Sequence, residues 1–106
     1  MRDFVSIKLD KHSDSPLYRQ LGEALAGLIT LGILSPDVKL PPIRTMARAL
    51  KVNNATVVSA YRYIEQKGLA YSIVGSGTYV ANEDARSLAN LVMLEFNEKI
   101  SKLRKE

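Results

Sequence analysis

Leu40-Pro-Pro-Ile-Arg44-Thr-Met-Ala47-Arg48-Ala-Leu50-Lys51-Val52-Asn53-Asn54-Ala55-Thr56-Val57-Val58-Ser59-Ala60-Tyr61-Arg62-Tyr-Ile64-Glu65-Gln-Lys67-Gly68 is the stretch that decides the fold. The spacing predicts a short helix over Ile43–Leu50, a tight turn over Lys51–Asn53 and a second helix over Ala55–Lys67. A small residue at Ala47 lets the two helices approach closely, and Leu50 and Val52 bracket the turn facing inward. Val57, Ala60, Tyr61 and Ile64 follow at the i, i+3, i+4, i+7 spacing of one buried helix face. That combination is the pattern of a helix-turn-helix.

Downstream, Gly68 ends the second helix, and Leu69, Tyr71 and Ile73 alternate with Ala70 and Ser72 before Gly75-Ser76-Gly77 turns the chain into Thr78-Tyr-Val80. This predicts a hairpin with one apolar face. Gly75-Ser-Gly77 is not a phosphate loop, because no following helix, lysine or further glycine completes one. A helix, a turn, a helix and a β-wing form a geometry that presents one helix to the major groove of DNA. The fold class expected is mainly α with a small β-wing, a winged helix-turn-helix of three helices plus a hairpin, followed by a C-terminal helix.

Upstream, Phe4-Val-Ser-Ile-Lys-Leu9 alternates apolar and polar residues and reads as a short strand or an extended arm. Ser15 is placed to cap a helix with Pro16 at its first position, and Leu17, Leu21, Leu25, Leu28 and Leu31 recur along it until Gly32 stops it. Interior Gly22 and Gly27 weaken that helix by roughly 1 kcal/mol each relative to alanine, and they point to close packing against a neighbour. Ser35–Pro42 is a turn-rich connector.

In the helix-turn-helix, Asn53 is placed to cap the second helix. Asn54, Ala55, Thr56 and Val58 then point toward base edges, with Ser59 and Arg62 beside them. Arg44, Arg48 and Lys51 cluster on or near the first helix, where phosphate contacts are expected. Gly75 and Ser76 form the wing tip, where backbone amides can come close to a phosphate.

Pro16-Leu-Tyr18, Gly32-Ile-Leu34, Leu40-Pro-Pro-Ile-Arg44, Ala47-x-x-Leu50, Thr56-Val57, Ala60-Tyr61, Glu65-x-x-Gly68-Leu69 and Gly75-x-Gly77-Thr-Tyr-Val80 together resemble the winged-helix domain of GntR-type transcription regulators. The likeness covers roughly Ser15–Val80. It implies a repressor or activator that binds a palindromic operator as a dimer. It also implies DNA contacts for Arg44, Thr56 and Gly75, and it departs at several positions. Asn54 and Ala55 stand for an Arg-Asn or Pro-Asn pair, and Val58 and Ser59 stand for basic residues. Val74 occupies the place of an arginine or histidine, and Lys51 that of a glycine. Most members carry a large C-terminal effector domain. Only Ala81–Glu106 follows the wing here, so the chain is similar to the short YtrA-like subgroup, whose tail is used for dimerisation. Leu-Pro-Pro-x-Arg also resembles the aminotransferase-fused MocR-like group, so the excised DNA-binding domain of a larger regulator is an alternative reading.

The tail Glu83–Lys105 is helical by pattern, with Leu88, Leu91, Val92, Phe96, Ile100 and Leu103 making a continuous apolar stripe. It exceeds what a lone surface helix leaves exposed and is expected to pack across a homodimer. Its breaks at Glu95 and Lys99 argue against a long coiled coil. Residues 1–80 are thus read as the winged-helix domain and 81–106 as a helical dimerisation tail.

Composition agrees with this reading. Of 106 residues, 46% are hydrophobic and 25% charged, as in an ordinary soluble domain, and a formal net charge of +4 suits a polyanionic partner. Absence of cysteine excludes disulfides and thiolate metal sites. No apolar run approaches the ~18 residues that span a bilayer, and Met1–Asp10 lacks the apolar core of a signal peptide, so the cytoplasm is the expected compartment. His12, the sole histidine, sits in a polar stretch, and no carboxylate pair, activated nucleophile or metal-ligand cluster accompanies it. An enzyme is therefore not expected, nor is any cofactor or metal, and no residue pattern names a small-molecule effector. A winged-helix module for protein–protein contact is the rival reading, supported by the uncharged positions of the second helix.

Overall fold

The computed structural model describes Phe4 and residues 7–82. It contains α1 (Leu17–Thr30), α2 (Ile43–Leu50), α3 (Asn54–Gln66), β1 (Ala70–Ile73) and β2 (Gly77–Val80), the winged helix-turn-helix expected. The tail Glu83–Lys105, with all six apolar positions assigned to dimerisation, lies outside the described residues.

Burial on α1 steps by four through Leu21, Leu25 and Ile29, with Gly22 buried beside the first. Leu21 and Leu25 are fully buried and Ile29 nearly so, while Leu28 is half-buried and Leu31 is 76% exposed. The stripe therefore ends earlier than the leucine spacing suggests, because Leu31 is the C-cap, one residue past the last turn. The start also differs. Pro16, not Ser15, is the N-cap and Leu17 the first helical residue, and no side chain caps the helix. Gln20 instead ties the preceding loop to the first turn, its Nε2 donating to the carbonyls of Ser15 at 2.7 Å and Asp10 at 2.9 Å. The two interior glycines separate as well. A Cβ on Gly22 would lie 2.5 Å from Cδ1 of Tyr63, so this glycine marks the close crossing of α1 and α3. Gly27 has nothing within 4 Å and no packing role.

All three helices end in the same way. At each end one residue turns left-handed, and the next N–H bonds back to a carbonyl five residues earlier. Gly32 (φ +78°) and Gly68 (φ +74°) do this at α1 and α3, with Ile33 N–H on Leu28 O and Leu69 N–H on Ile64 O, both 2.9 Å. At α2 the turn residue is Lys51 (φ +56°), with Val52 N–H on Ala47 O at 3.0 Å. A side chain in this region costs about 1–2 kcal/mol, and glycine's unfolded-state entropy returns about half of that. Lys51→Gly is thus expected to raise stability by about 0.5–1 kcal/mol, read as a higher urea midpoint at unchanged slope.

The core joins Leu21, Leu25 and Ile29 of α1, Met46 and Ala47 of α2, and Val57, Ala60, Tyr61 and Ile64 of α3, with Leu34, Leu40, Ala70, Val80 and Phe4 closing it. Leu50 and Val52 pack against its edge and are half-buried. Phe4 is helical and residues 7–10 have no regular structure, so of the two readings, short strand or extended arm, the described residues show no strand. The alternation in the sequence is real: Ile7 and Leu9 are half-buried while Lys8 and Asp10 are exposed. It reflects chain laid on the core, with no neighbouring strand to pair.

In the wing, β1 and β2 are antiparallel, pairing Ala70 with Val80, Tyr71 with Tyr79, Ser72 with Thr78 and Ile73 with Gly77. Gly77 is thus a strand residue. The face expected to be apolar is not the buried one. Ala70 and Val80 are buried, Ile73 is 49% exposed, and Tyr71 is held by stacking on Tyr79 (ring centroids 5.5 Å apart). Only the root of a short two-stranded wing reaches the core, so the alternation along it runs out into solvent. The connector supplies what pairing alone lacks. Lys39 bridges Tyr79 on the free edge of β2, with Leu40 N–H on Thr78 O and Asp37 N–H on Val80 O, both 2.8 Å. The turn-rich segment thus acts as a third edge, and this was invisible in its composition.

Candidate nucleic-acid interface

Asn53 builds the start of α3. Its Oδ1 accepts the Thr56 N–H at 2.8 Å and the Thr56 hydroxyl at 2.7 Å, so one side chain satisfies an end-of-helix amide and fixes the neighbouring threonine. No acidic residue lies in the first turn, leaving the positive end of the helix dipole uncompensated and favourable to an anion. Asn53, Asn54, Ala55, Ser59 and Arg62 are exposed, while Thr56 and Val58 are half-buried. The face divides between two grooves. Asn53, Ala55, Thr56 and Ser59 line one of about 350 Å³ with Pro16, Leu17 and Tyr18 at the start of α1. Val58 and Arg62 line a smaller one of about 150 Å³, shared with Ile43 and with Ser72 and Thr78 of the wing.

Arg44 and Arg48 are exposed on α2, and among the described residues the single ion pair is Arg19 with Glu23 (3.1 Å). Arg44, Arg48 and Arg62 thus have no ion-pair partner among the described residues, with Glu65 lining the same groove as Arg62. Burial raises the pKa of the Tyr61 phenol, which remains a donor and binds the Pro41 carbonyl at 2.7 Å. This bond ties α3 to the segment that launches α2. At the wing tip Gly75 has the left-handed φ of +79° with open space around it, so backbone conformation, not crowding, calls for glycine there. Ser76 is exposed, and its hydroxyl hydrogen-bonds the Tyr79 hydroxyl.

The model of the gntR family of bacterial regulatory proteins matches residues 17–80. The chain belongs to that family. Among the relatives of this gntR-family chain is the transcriptional repressor YtrA of Bacillus subtilis, 31% identical over 97 residues, covering 92% of this chain and 75% of that protein. Two further relatives are much longer, and the chain spans 18% and 15% of their lengths. The solved structure of YtrA from Sulfolobus acidocaldarius, a GntR-family transcription factor, superimposes with a TM-score of 0.68 at 33% identity, covering 87% of this chain and 97% of that one. The DNA-binding domain of AraR in complex with operator ORE1 matches with a TM-score of 0.61 at 32% identity, covering 69% of this chain and 89% of that one.

Three side chains that the sequence had not placed there lie beside the candidate interface. Tyr18, 40% exposed, stands beside the start of α3; its motif was visible, but the approach of α1 to that turn was not. Lys11 reaches over from the N-terminal loop, its Nζ donating to the Lys51 carbonyl at 3.1 Å, at the negative end of α2. Lys39 lies against the wing. Lys11 and Lys39 carry no local signal, and all three are placed by contacts with chain distant in sequence.

Proposed function

We propose that this chain is a sequence-specific DNA-binding transcription regulator, a repressor, which binds a palindromic operator as a homodimer. The observation that carries the reading is the start of α3: an exposed, side-chain-capped helix end with no acid in its first turn, flanked by Arg44, Arg48 and Arg62 with no ion-pair partners among the described residues. Asn54, Ala55, Val58 and Ser59 face the bases, Arg62 reaches from the next turn, and Arg44, Arg48, Asn53, Thr56, Gly75 and Ser76 hold the backbone. The likeness to AraR's DNA-binding domain, solved with an operator, supports a DNA partner, and the likeness to YtrA, named a repressor, supports the sign of regulation. Residues 1–80 act as the DNA-binding unit and 81–106 as the dimerisation tail, in the cytoplasm. Among the described residues no helix is long and apolar enough to cross a membrane, and no group of three or more His, Cys, Asp or Glu could hold a metal ion.

The test starts with an operator selected from a random duplex pool. Arg44→Ala should weaken binding to it by about 1–3 kcal/mol and flatten the salt dependence by about one unit, as expected for loss of one phosphate contact. Titrations at several salt concentrations measure both. An affinity and slope equal to those of the unaltered protein would remove Arg44 from the interface, and failure to select any duplex would favour a protein partner instead.

A further inference from the structure

The wing of this chain carries no charge of its own. From Leu69 to Asn82 the sequence contains no lysine, arginine, aspartate or glutamate, and Val74, fully exposed, occupies the tip where charge would be most useful. One cation is nevertheless held against it from outside. Lys39 pairs with Tyr79 on the free edge of β2, and its side chain runs across Gly77. A Cβ built on Gly77 would fall 2.8 Å from Cε and 3.7 Å from Nζ of Lys39. Gly77 itself has φ +151°, a backbone conformation that disfavours a side chain and leaves the space above it to the lysine. Lys39, with Ser76, Gly77, Ile43 and Pro42, lines a groove of about 200 Å³ between the wing and the start of α2, next in sequence to Arg44. It has no ion-pair partner among the described residues.

We infer that Lys39 is the cationic phosphate contact of the wing, lent by the connector to a hairpin that has no charge of its own. A four-carbon stem laid over a glycine is partly pre-ordered, and Lys39 lines the groove between wing and α2 with no ion-pair partner among the described residues. A cation there neutralises one backbone phosphate and carries no base preference. Gly77 then serves as the bed on which the lysine lies. The inference rests on the DNA-binding reading above and adds to it a residue that contributes equally on every sequence.

The experiment compares salt-dependent binding of the full chain to a short mixed-sequence duplex for the unaltered protein, Lys39→Gln, Lys39→Arg and Lys67→Gln. Lys67, at the C-terminal end of α3 and 4.9 Å above the Tyr63 ring, is the control for loss of one positive charge elsewhere. Circular dichroism checks the fold of each. Lys39→Gln should flatten the logarithmic salt slope by about 0.9, so that raising salt from about 50 to about 200 mM costs the variant roughly 3.5-fold less affinity than it costs the unaltered protein. Lys39→Arg should keep the original slope, and Lys67→Gln should leave it unchanged. A Lys39→Gln slope equal to that of the unaltered protein overturns the assignment while leaving DNA binding intact. Equal flattening by Lys67→Gln also overturns it, since the effect would then be one of net charge. If the unaltered protein shows no salt-dependent binding at all, the DNA-binding reading fails first and the role of Lys39 fails with it.

Discussion

Gly22→Val is expected to lower the stability of the domain by about 2–3 kcal/mol, the cost of forcing a branched side chain into a packed crossing. The cause is local and geometric. A Cβ at position 22 would lie 2.5 Å from Cδ1 and 2.9 Å from Cγ of Tyr63, and these atoms sit at the root of the ring, where a small rotation does not clear them. Tyr63 also carries the Lys67 ammonium 4.9 Å above its ring. Either α1 moves off α3 or the ring leaves its place, and both loosen the joint beneath the recognition helix. For a domain of this size the loss corresponds to a fall in melting temperature of roughly 10–20 °C. Gly27→Ala supplies the contrast. It lies in the same helix with open space around it, so it should stabilise by up to about 1 kcal/mol through helix propensity alone. Thermal and urea unfolding of both variants measure the difference. Equal behaviour would mean that the crossing tolerates side chains and that Gly22 has no packing role.

The second large effect is expected from the tail. If the chain works as a dimer joined through 81–106, then the double variant Val92→Asp, Phe96→Asp should be a folded monomer that has lost tight operator binding. Each apolar side chain buried across the two-fold contributes roughly 1.5–3 kcal/mol, and two buried aspartates replace that gain with a desolvation penalty. The winged helix offers one recognition helix, which reads only a few base pairs. Two of them about one DNA turn apart, ~34 Å, read a palindrome. Joining them raises affinity through effective concentration by roughly 10²- to 10⁴-fold, and the monomer forfeits this factor. Sedimentation velocity at micromolar concentration, together with circular dichroism and operator titration, tests each part. An unaltered protein that sediments as a monomer would assign the apolar stripe to packing on its own domain.

How much of this was legible beforehand depends on the range of the interaction. The helix-turn-helix was readable because its determinants lie close together: Val57, Ala60, Tyr61 and Ile64 share a face by helical period, and Asn53 caps a helix that begins at the next residue. Family resemblance added weight to the same residues, and the match over 17–80 agrees with it. Ser15 is not the cap because the helix starts one residue later, at Leu17 after Pro16, and Gln20 reaches back to the Ser15 carbonyl to hold the loop. Ile73 failed as a buried wing residue because a short hairpin meets the core only at its root, where Ala70 and Val80 sit.

What the sequence by itself determined was therefore the order and kind of the elements: helical and strand periods, a capping asparagine, and the glycines at 32, 68 and 75 that the backbone needs with positive φ. These are properties of neighbours along the chain. Only the tertiary structure decided which glycine is a contact, since Gly22 and Gly27 are alike until Tyr63 arrives beside one of them. It alone converted a turn-rich connector into the third edge of the wing, and it brought Lys39, Lys11 and Tyr18 to the candidate interface. The physical reason is the same in each case. Periodicity and caps act over one helical turn, whereas charge placement and close packing are set by segments tens of residues apart that meet only when the core closes.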